Sequence, residues 1–594
     1  MTMRPRTCSL PKLFMVLCCL SFFFHGKVHA QGFLRAEGKQ IVNGQNQPVI
    51  LRGMGLGGWM LQEGYMLRTA EFAGQQHRIK AKMEELIGPE RTLEFYNAWL
   101  QNHTRKIDID SMAAWGFNSV RLPMHYNLYT LPVEQEPVAG QNTWLEKGFQ
   151  MTDSLLQWCK ANRMYLILDL HAAPGGQGND NNISDRDPAK PSLWDSEANK
   201  QKTIALWRKL AERYKDEPWI GAYDIINEPN WGFQSKEDKN GCAEKDNAPL
   251  RQLMVDITKA IRDVDQRHLI FIEGNCWGNN YNGVLPVWDK NMGLSFHKYW
   301  NYNDLSAIKG WLDLRDQHNV PIWLGETGEN SNVWFRQAIE LVEGQGIGWA
   351  WWPLKKLGFN NPLEVPMTPG YQKLLNYWHG KGLKPSVDEA YAALMELTEN
   401  LKLENNLFHQ DVVDAIFRQV KSTETLPFGN YSFVKKLTIP AVHYDLGRNG
   451  FAYLDKDTAN YYISTGGPRT PWNRGTTYRN DGVDIAQDSI SKKLFVDHIE
   501  TGEWLQYTTA FEENKATTGT LKLLVASDNN AGKLTLTLNG DVVKAGMGVP
   551  NTGGPKKWKT ITLKNIPLKP GKNVFRVIAE QGGFQLQSLE ISVK

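Results

Sequence analysis

Ile220-Gly221-Ala222-Tyr223-Asp224-Ile225-Ile226 runs without a break into Asn227-Glu228-Pro229. A short apolar run ending in a polar cluster reads as a buried strand that opens onto a functional surface. The flanks are helical in pattern, over 198–214 before it and 249–264 after it. Moving outward, the same alternation continues from about residue 40 to 380. Strands are expected at 49–52, 118–122, 165–170, 220–226, 269–273, 293–297, 321–325 and 347–352, with further helices at 148–162 and 333–343. Strand–helix alternation predicts an α/β fold with a parallel sheet, and eight repeats over this length predict a closed (β/α)8 TIM barrel. A doubly wound open sheet would want a phosphate loop after its first strand. Gly53-Met54-Gly55-Leu56-Gly57-Gly58-Trp59 lacks that spacing.

The chain has 594 residues, too many for one hydrophobic core, so more than one domain is expected. A net charge of only +3, with no block of like charges, gives no reason to expect a nucleic-acid partner. Arg4, Arg6 and Lys12 precede an apolar run at 13–24, and Val28-His29-Ala30 offers a cleavage site. Residues 1–30 therefore read as a signal peptide, and a secreted or extracytoplasmic protein with no membrane span after its removal is expected. Of six Cys, three lie in that segment; Cys159, Cys242 and Cys276 remain, an odd number, and Cys242–Cys276 pairing is left open. No Cys/His cluster has zinc spacing.

A barrel of this kind works at the C-terminal ends of its strands. The polar residues there are Arg121, Asp169 with His171, Asn227 with Glu228, Glu273, His297 with Tyr299, and Glu326. Cleaving an acetal needs two carboxyl groups, one to protonate the leaving oxygen and one to attack carbon or activate water. Glu228 and Glu326 end the fourth and seventh strands, across the mouth from each other. Asn227 beside the acid can bind a sugar 2-hydroxyl, and Arg121 and Tyr299 can hold Glu326 charged. Asp169 and Glu273 read as residues that position neighbours. The loop at 173–178 reads as a substrate loop, and Glu329 and Asn330 as surface.

These residues carry a resemblance. Ile225-Ile226-Asn227-Glu228-Pro229 is similar to the acid/base signature of glycoside hydrolase family 5, and Leu324-Gly325-Glu326-Thr327-Gly328 to its nucleophile strand. Leu51-Arg52-Gly53, Asn118-Ser119-Val120-Arg121-Leu122-Pro123, Leu168-Asp169-Leu170-His171 and His297-Lys298-Tyr299 extend the likeness over about residues 38 to 384. The resemblance implies Glu228 as acid/base, Glu326 as nucleophile, and Arg121, His171, Asn227, His297 and Tyr299 around the distorted sugar. Trp352 is expected as the floor of the subsite, with Trp351 as fallback. It also implies retention of configuration, a carboxyl separation of roughly 5 Å, and no metal or organic cofactor.

Residues 386–420 read as two helices packed outside the barrel. From Leu437 onward short β runs separated by turn signals predict a β-sandwich, with Asn539-Gly540 as a two-residue hairpin turn. This tail resembles carbohydrate-binding module family 6, through Tyr478-Arg479, Val483-Asp484, Gly502-Glu503-Trp504-Leu505-Gln506-Tyr507, Trp558 and Gly583-Phe584-Gln585-Leu586-Gln587. By position Tyr478 and Trp558 would be the aromatic pair that sandwiches a sugar. Gln587 stands where the family usually has Asn. A first strand Ala441-Val442-His443-Tyr444 lacks the acidic residues that hold the family's structural calcium. The expected division is thus 1–30 signal, 31–384 barrel, 385–436 helical connector and 437–594 sandwich.

The expected activity is hydrolysis of a β-1,3- or β-1,4-glucan by a monomeric enzyme. A mannanase or other β-hexosan hydrolase is the enzymatic alternative, and an inactive polysaccharide-binding protein the non-enzymatic one.

Overall fold

The computed structural model describes residues 32–528 and 532–593. The expected signal segment lies outside the described residues. Eight parallel strands close into a barrel in chain order: Arg52–Gly55, Ser119–His125, Tyr165–Ala172, Ile220–Asp224, Leu269–Glu273, Met292–Lys298, Ile322–Gly328 and Trp349–Trp352. The eighth strand pairs in parallel with the first, Trp349 opposite Arg52 and Trp351 opposite Met54. The strands are buried along both faces, as a sheet wrapped in helices requires.

The first strand starts at Arg52, three residues later than the apolar pattern of 49–52 suggests. Its later part carries no apolar signal because glycine stands where the eighth-strand indole lies against the backbone. A Cβ on Gly55 would sit 2.5 Å from Trp352 Cε3, and one on Gly57 2.7 Å from its Cζ2. Glycine is kept there so that the backbone can lie against Trp352, at the expense of strand propensity.

The helices Val387–Glu399 and Gln410–Lys421 are built into the barrel's flank. Ser386 and Glu389 form a reciprocal capping box on the first. Its Leu394 and Leu397 pack with Phe95 and Trp99. The second helix buries Val412 and Ile416 in the barrel's own outer core.

The tail folds as two β-sheets around a separate core. Lys533–Leu538 and Asp541–Gly548 form the expected hairpin, with Asn539 and Gly540 both at positive φ. One expectation is corrected. Residues 441–444 are not the first strand: Lys436–Pro440 pairs with Phe584–Val593, and Ala441–His443 is a single 3-10 turn. Among the described residues, no helix is long and apolar enough to cross a membrane.

Candidate active site

The C-terminal ends of the strands bring together Arg121, Asp169, His171, Asn227, Glu228, Glu273, His297, Tyr299, Glu326 and Trp352. Arg121, fully buried, is the hub. Its Nη1 donates to Glu326 Oε2 at 2.9 Å and lies 3.2 Å from Asp169 Oδ2. Its Nε and Nη2 reach Asp224 Oδ2 at 3.0 and 2.9 Å, and Nη2 also reaches Asn227 Oδ1 at 2.7 Å. Glu326 is held from the other side by the Tyr299 hydroxyl, which donates to Oε1 at 2.8 Å. A Cβ on the preceding Gly325 would fall 2.1 Å from Ser295 Oγ, so only glycine lets the seventh strand approach the sixth here.

Glu228 follows the fourth strand at a positive φ of 44°, a conformation L-residues adopt at a cost of about 1–3 kcal/mol. Its surroundings hold it there. The backbone N–H donates to Glu273 Oε2 at 2.7 Å, and Oε1 lies 2.6 Å from His297 Nδ1. The far side of the His297 ring, Nε2, is 3.2 Å from Glu273 Oε1. One carboxylate oxygen of Glu228, one of Glu326 and a His297 nitrogen all lie within 4.8 Å of one another.

Exposure separates the carboxyls. The side chains of Asp169, Asp224 and Glu273 are 0% exposed, whereas those of Glu228 and Glu326 are each 8% exposed. Burial raises the Glu228 pKa to about 7; the positive His297 opposes this, and Glu326 and Glu273 add to it. Burial also works against a charge on His297, but Glu273, Glu228 and Glu326 outweigh it and hold its pKa well above the ordinary value. Burial pushes Asp224 up, and the charge of Glu273 reinforces it. The site thus offers one protonated carboxyl near neutral pH, facing another that accepts bonds from a guanidinium and a phenol.

The wall beside this pair is equally connected. Asp169 Oδ2 takes His171 Nδ1 at 2.8 Å, and the His171 ring stacks on Trp352 at 5.0 Å and 11°. The Trp352 indole N–H donates to the Tyr65 hydroxyl at 2.9 Å. Trp351 points the other way, fully buried against Phe335 and Trp349.

Three readings are corrected. Gln177, in the expected substrate loop, is buried and donates to the carbonyls of His171 and Asn227 at 2.7 and 2.8 Å, so it braces the site's backbone. Asn330 is not surface: it is 0% exposed and exchanges hydrogen bonds with Asn460 of the tail at 2.8 and 3.0 Å. Glu329 is partly buried and paired with Lys356 at 2.9 Å. Cys242 and Cys276 are joined as a disulfide, and Cys159 is buried and free.

Tyr478 and Trp558 are not brought together as a pair. Tyr478 stacks on His443 at 5.6 Å, beside Phe428, and its carbonyl oxygen lies 3.1 Å from His409 Nδ1 of the connector. Trp558 packs edge-on against Phe495 at 5.4 Å. Beside that loop it is Gln585, not Gln587, that makes the polar contacts, accepting from Lys556 N and donating to Asp497 at 2.8 and 2.9 Å.

Sequence reasoning missed Asp224, hidden in its apolar run, and Glu63. Glu63 is 6% exposed at the same mouth. Burial first, then the charges of Glu326, Glu329 and Glu228, hold it well above the ordinary carboxyl range. It follows no strand, so no periodic signal marks it.

A family model described as Cellulase (glycosyl hydrolase family 5) matches residues 79–358, and one described as Carbohydrate binding module (family 6) matches residues 475–592. A beta-xylosidase from Phanerodontia chrysosporium is 24% identical over 428 residues, covering 66% of this chain and 83% of the relative. Endoglucanase C from Acetivibrio thermocellus is 25% identical over 316 residues, covering 53% and 70%. A probable glucan 1,3-beta-glucosidase A from Emericella nidulans is 29% identical over 312 residues, covering 50% and 71%. Among solved structures, Thermotoga maritima Cel5A in complex with cellobiose aligns with a TM-score of 0.36 and 18% identity, over 58% of this chain and 97% of that one.

Proposed function

We propose that the chain, whose barrel matches the glycosyl hydrolase family 5 model and whose sandwich matches that of carbohydrate binding module family 6, hydrolyses a β-linked glucan with retention of configuration. Glu228 is the acid/base and Glu326 the nucleophile. The observation that carries this reading is the approach of the two carboxyls, one oxygen of each within 4.8 Å. Retaining enzymes set their carboxyls about 5–5.5 Å apart; inverting enzymes need about 6.5–9.5 Å to admit a water.

In the first step Glu326 attacks the anomeric carbon while protonated Glu228 gives its proton to the departing glycosidic oxygen. The C–O bond to the leaving sugar breaks and a glycosyl ester on Glu326 forms. Glu228, now a carboxylate beside His297, takes a proton from water. That water attacks the same carbon, releasing the sugar and restoring both groups. Asn227 binds the sugar 2-hydroxyl, and Trp352 supports the ring's apolar face.

The signal-like residues 1–30 and the Cys242–Cys276 disulfide support work in an oxidising, extracytoplasmic compartment. There the sandwich keeps the catalytic barrel on its polymer by raising the local concentration.

The test is a product profile on β-1,3-glucan, β-1,4-glucan, mannan and β-xylosides, the last because one relative is named a beta-xylosidase. Early products are followed by proton NMR. The expected outcome is glucan cleavage giving the β-anomer first, lost in Glu326→Gln with binding retained. An α-anomer first, or full turnover by Glu326→Gln, overturns the assignment.

A further inference from the structure

The tail touches the barrel next to the catalytic carboxyls. Asn460 and Asn480 anchor it, bonded to Asn330 and Asn332 just past the seventh strand. Between these anchors, the segment around Tyr462 and Arg469 reaches over the end of the sixth strand. Ile463 N–H donates to the Trp300 carbonyl at 3.0 Å, and Tyr302 N–H donates to Ser464 Oγ at 2.7 Å.

Trp300 is the next residue after Tyr299, whose hydroxyl bonds Glu326. The two rings lie 5.1 Å apart. Trp300 is fixed by its indole N–H, which donates to Glu329 O at 3.0 Å. On its far side it meets the Tyr462 ring at 5.3 Å, and the Arg469 guanidinium lies 4.1 Å from the indole centroid and 4.6 Å from the phenol's. Two steps therefore lead from the Glu326 carboxylate to side chains supplied by the other domain.

Arg469 adds no hydrogen bond to the barrel. It is exposed, its one hydrogen bond is to the Tyr462 hydroxyl at 2.7 Å, and it has no carboxylate partner among the described residues. A guanidinium set over an indole and a phenol, with N–H groups left over, suits a sugar. The ring surface that the guanidinium leaves uncovered takes apolar C–H groups, and the free N–H groups take hydroxyls.

We propose that the sandwich completes the barrel's cleft, Tyr462 and Arg469 packed on Trp300 forming a subsite for a sugar unit adjoining the one over Glu326. The inference rests on the reading of Glu228 and Glu326 as the catalytic pair. Under it the tail shapes which chain length the enzyme prefers, in addition to tethering it.

The test uses the full chain with Arg469→Ala, Tyr462→Ala and Tyr462→Phe. Turnover of a β-linked five-unit glucose oligosaccharide is compared with that of an aryl β-glycoside bearing a single sugar. For both alanine variants the ratio of kcat/KM, long over short, is expected to fall by about tenfold, as one stacked contact plus hydrogen bonds predicts. Tyr462→Phe, which keeps the ring, is expected to retain most of it. An unchanged ratio overturns the proposal, as does an equal loss on both substrates, which would mean a merely structural contact. Calorimetric titration of the same oligosaccharide into Glu326→Gln and into Glu326→Gln with Arg469→Ala gives an answer independent of turnover. Weakening by about tenfold supports the subsite, and equal affinity overturns it. Persisting hydrolysis by Glu326→Gln would instead sink the catalytic assignment alone.

Discussion

Removing the imidazole from His297 should move the alkaline limb of activity to higher pH. In the proposed mechanism Glu228 donates a proton in the first step, so activity is present while it is protonated and falls tenfold per unit above its pKa. That pKa is raised from 4.5 to about 7, by burial first, against the opposing pull of His297. His297 Nδ1 lies 2.6 Å from Glu228 Oε1 and favours the charged carboxylate. His297→Ala deletes one charge-assisted hydrogen bond, worth about 1.5–3 kcal/mol. At 1.36 kcal/mol per unit that is about 1–2 pH units. The limb of kcat/KM should therefore move from about 7 to roughly 8–9, on a lower plateau because the acid is held less firmly. Glu273→Gln has the opposite sign. It removes a negative neighbour that raises Glu228, so its limb should move to lower pH, while the amide oxygen can still accept the Glu228 N–H. The assay is kcat/KM against pH for wild type and both variants, with melting temperatures to confirm folding. Two limbs moving in the same direction, or neither moving, would refute this account of how Glu228 stays protonated.

Trp352→Ala should lower kcat/KM by about 10- to 100-fold through the lost platform, since a buried indole carries roughly 1.5–3 kcal/mol; steady-state kinetics on the preferred glucan checks it. Asn332→Ala should destabilise the barrel–sandwich contact. Its amide donates to Asp411 and Asp481 and accepts from Asn480, all buried, and stranding such groups costs about 1–3 kcal/mol each. Calorimetry should show a lower or split melting transition, and an unchanged one would refute the contact's importance. Cys242 and Cys276 lie 34 residues apart, so chain entropy assigns their bond up to about 4 kcal/mol. The double serine variant should melt earlier than wild type under oxidising conditions and match it under reducing ones.

How much of this was legible in the sequence depended on how local the cause was. The fourth strand announced itself because an apolar run has to become polar where it leaves the sheet, and Glu228 follows at that point. Its end was read two residues late. Ile225 and Ile226 are apolar, yet they belong to the turn toward Glu228, where the Ile225 carbonyl accepts the Trp207 indole N–H at 2.8 Å. Alternation along the eighth strand gives Trp351 and Trp352 opposite faces, but only their packing, Trp352 on His171 and Trp351 on Phe335, tells which one faces the mouth. Asn330 was misread because a polar residue just past a strand looks solvated, and its partner lies 130 residues further along. Tyr478 was misread for the same reason. Its neighbours His409 and Phe428 come from the connector, and no spacing within the sandwich reports them.

The mouth of the barrel also shows how, among the five carboxyls around Arg121 and His297, the two proposed for chemistry differ from the rest. One guanidinium cannot neutralise all of them. Arg121 nevertheless reaches four, Asp169, Asp224, Glu273 and Glu326, and a buried cluster of this kind persists only if the remaining charge is removed by protons or by further partners. Asp224 gives up its charge, pushed up by burial and by Glu273. Glu273 keeps its charge because His297 and Arg121 outweigh the burial that opposes it. Asp169 spends its contacts on Arg121 and His171. All three are sealed from water and so cannot meet a sugar. Glu228 and Glu326 retain a small opening each, and their partners differ in kind: an imidazole ring whose positive charge stabilises the carboxylate that Glu228 becomes when it gives up its proton, and a guanidinium with a phenol that fix the other carboxyl in aim. The proposed division of labour follows from which groups the fold leaves open and what it sets beside them, so two residues of one chemical type are suited to opposite roles within one cleft.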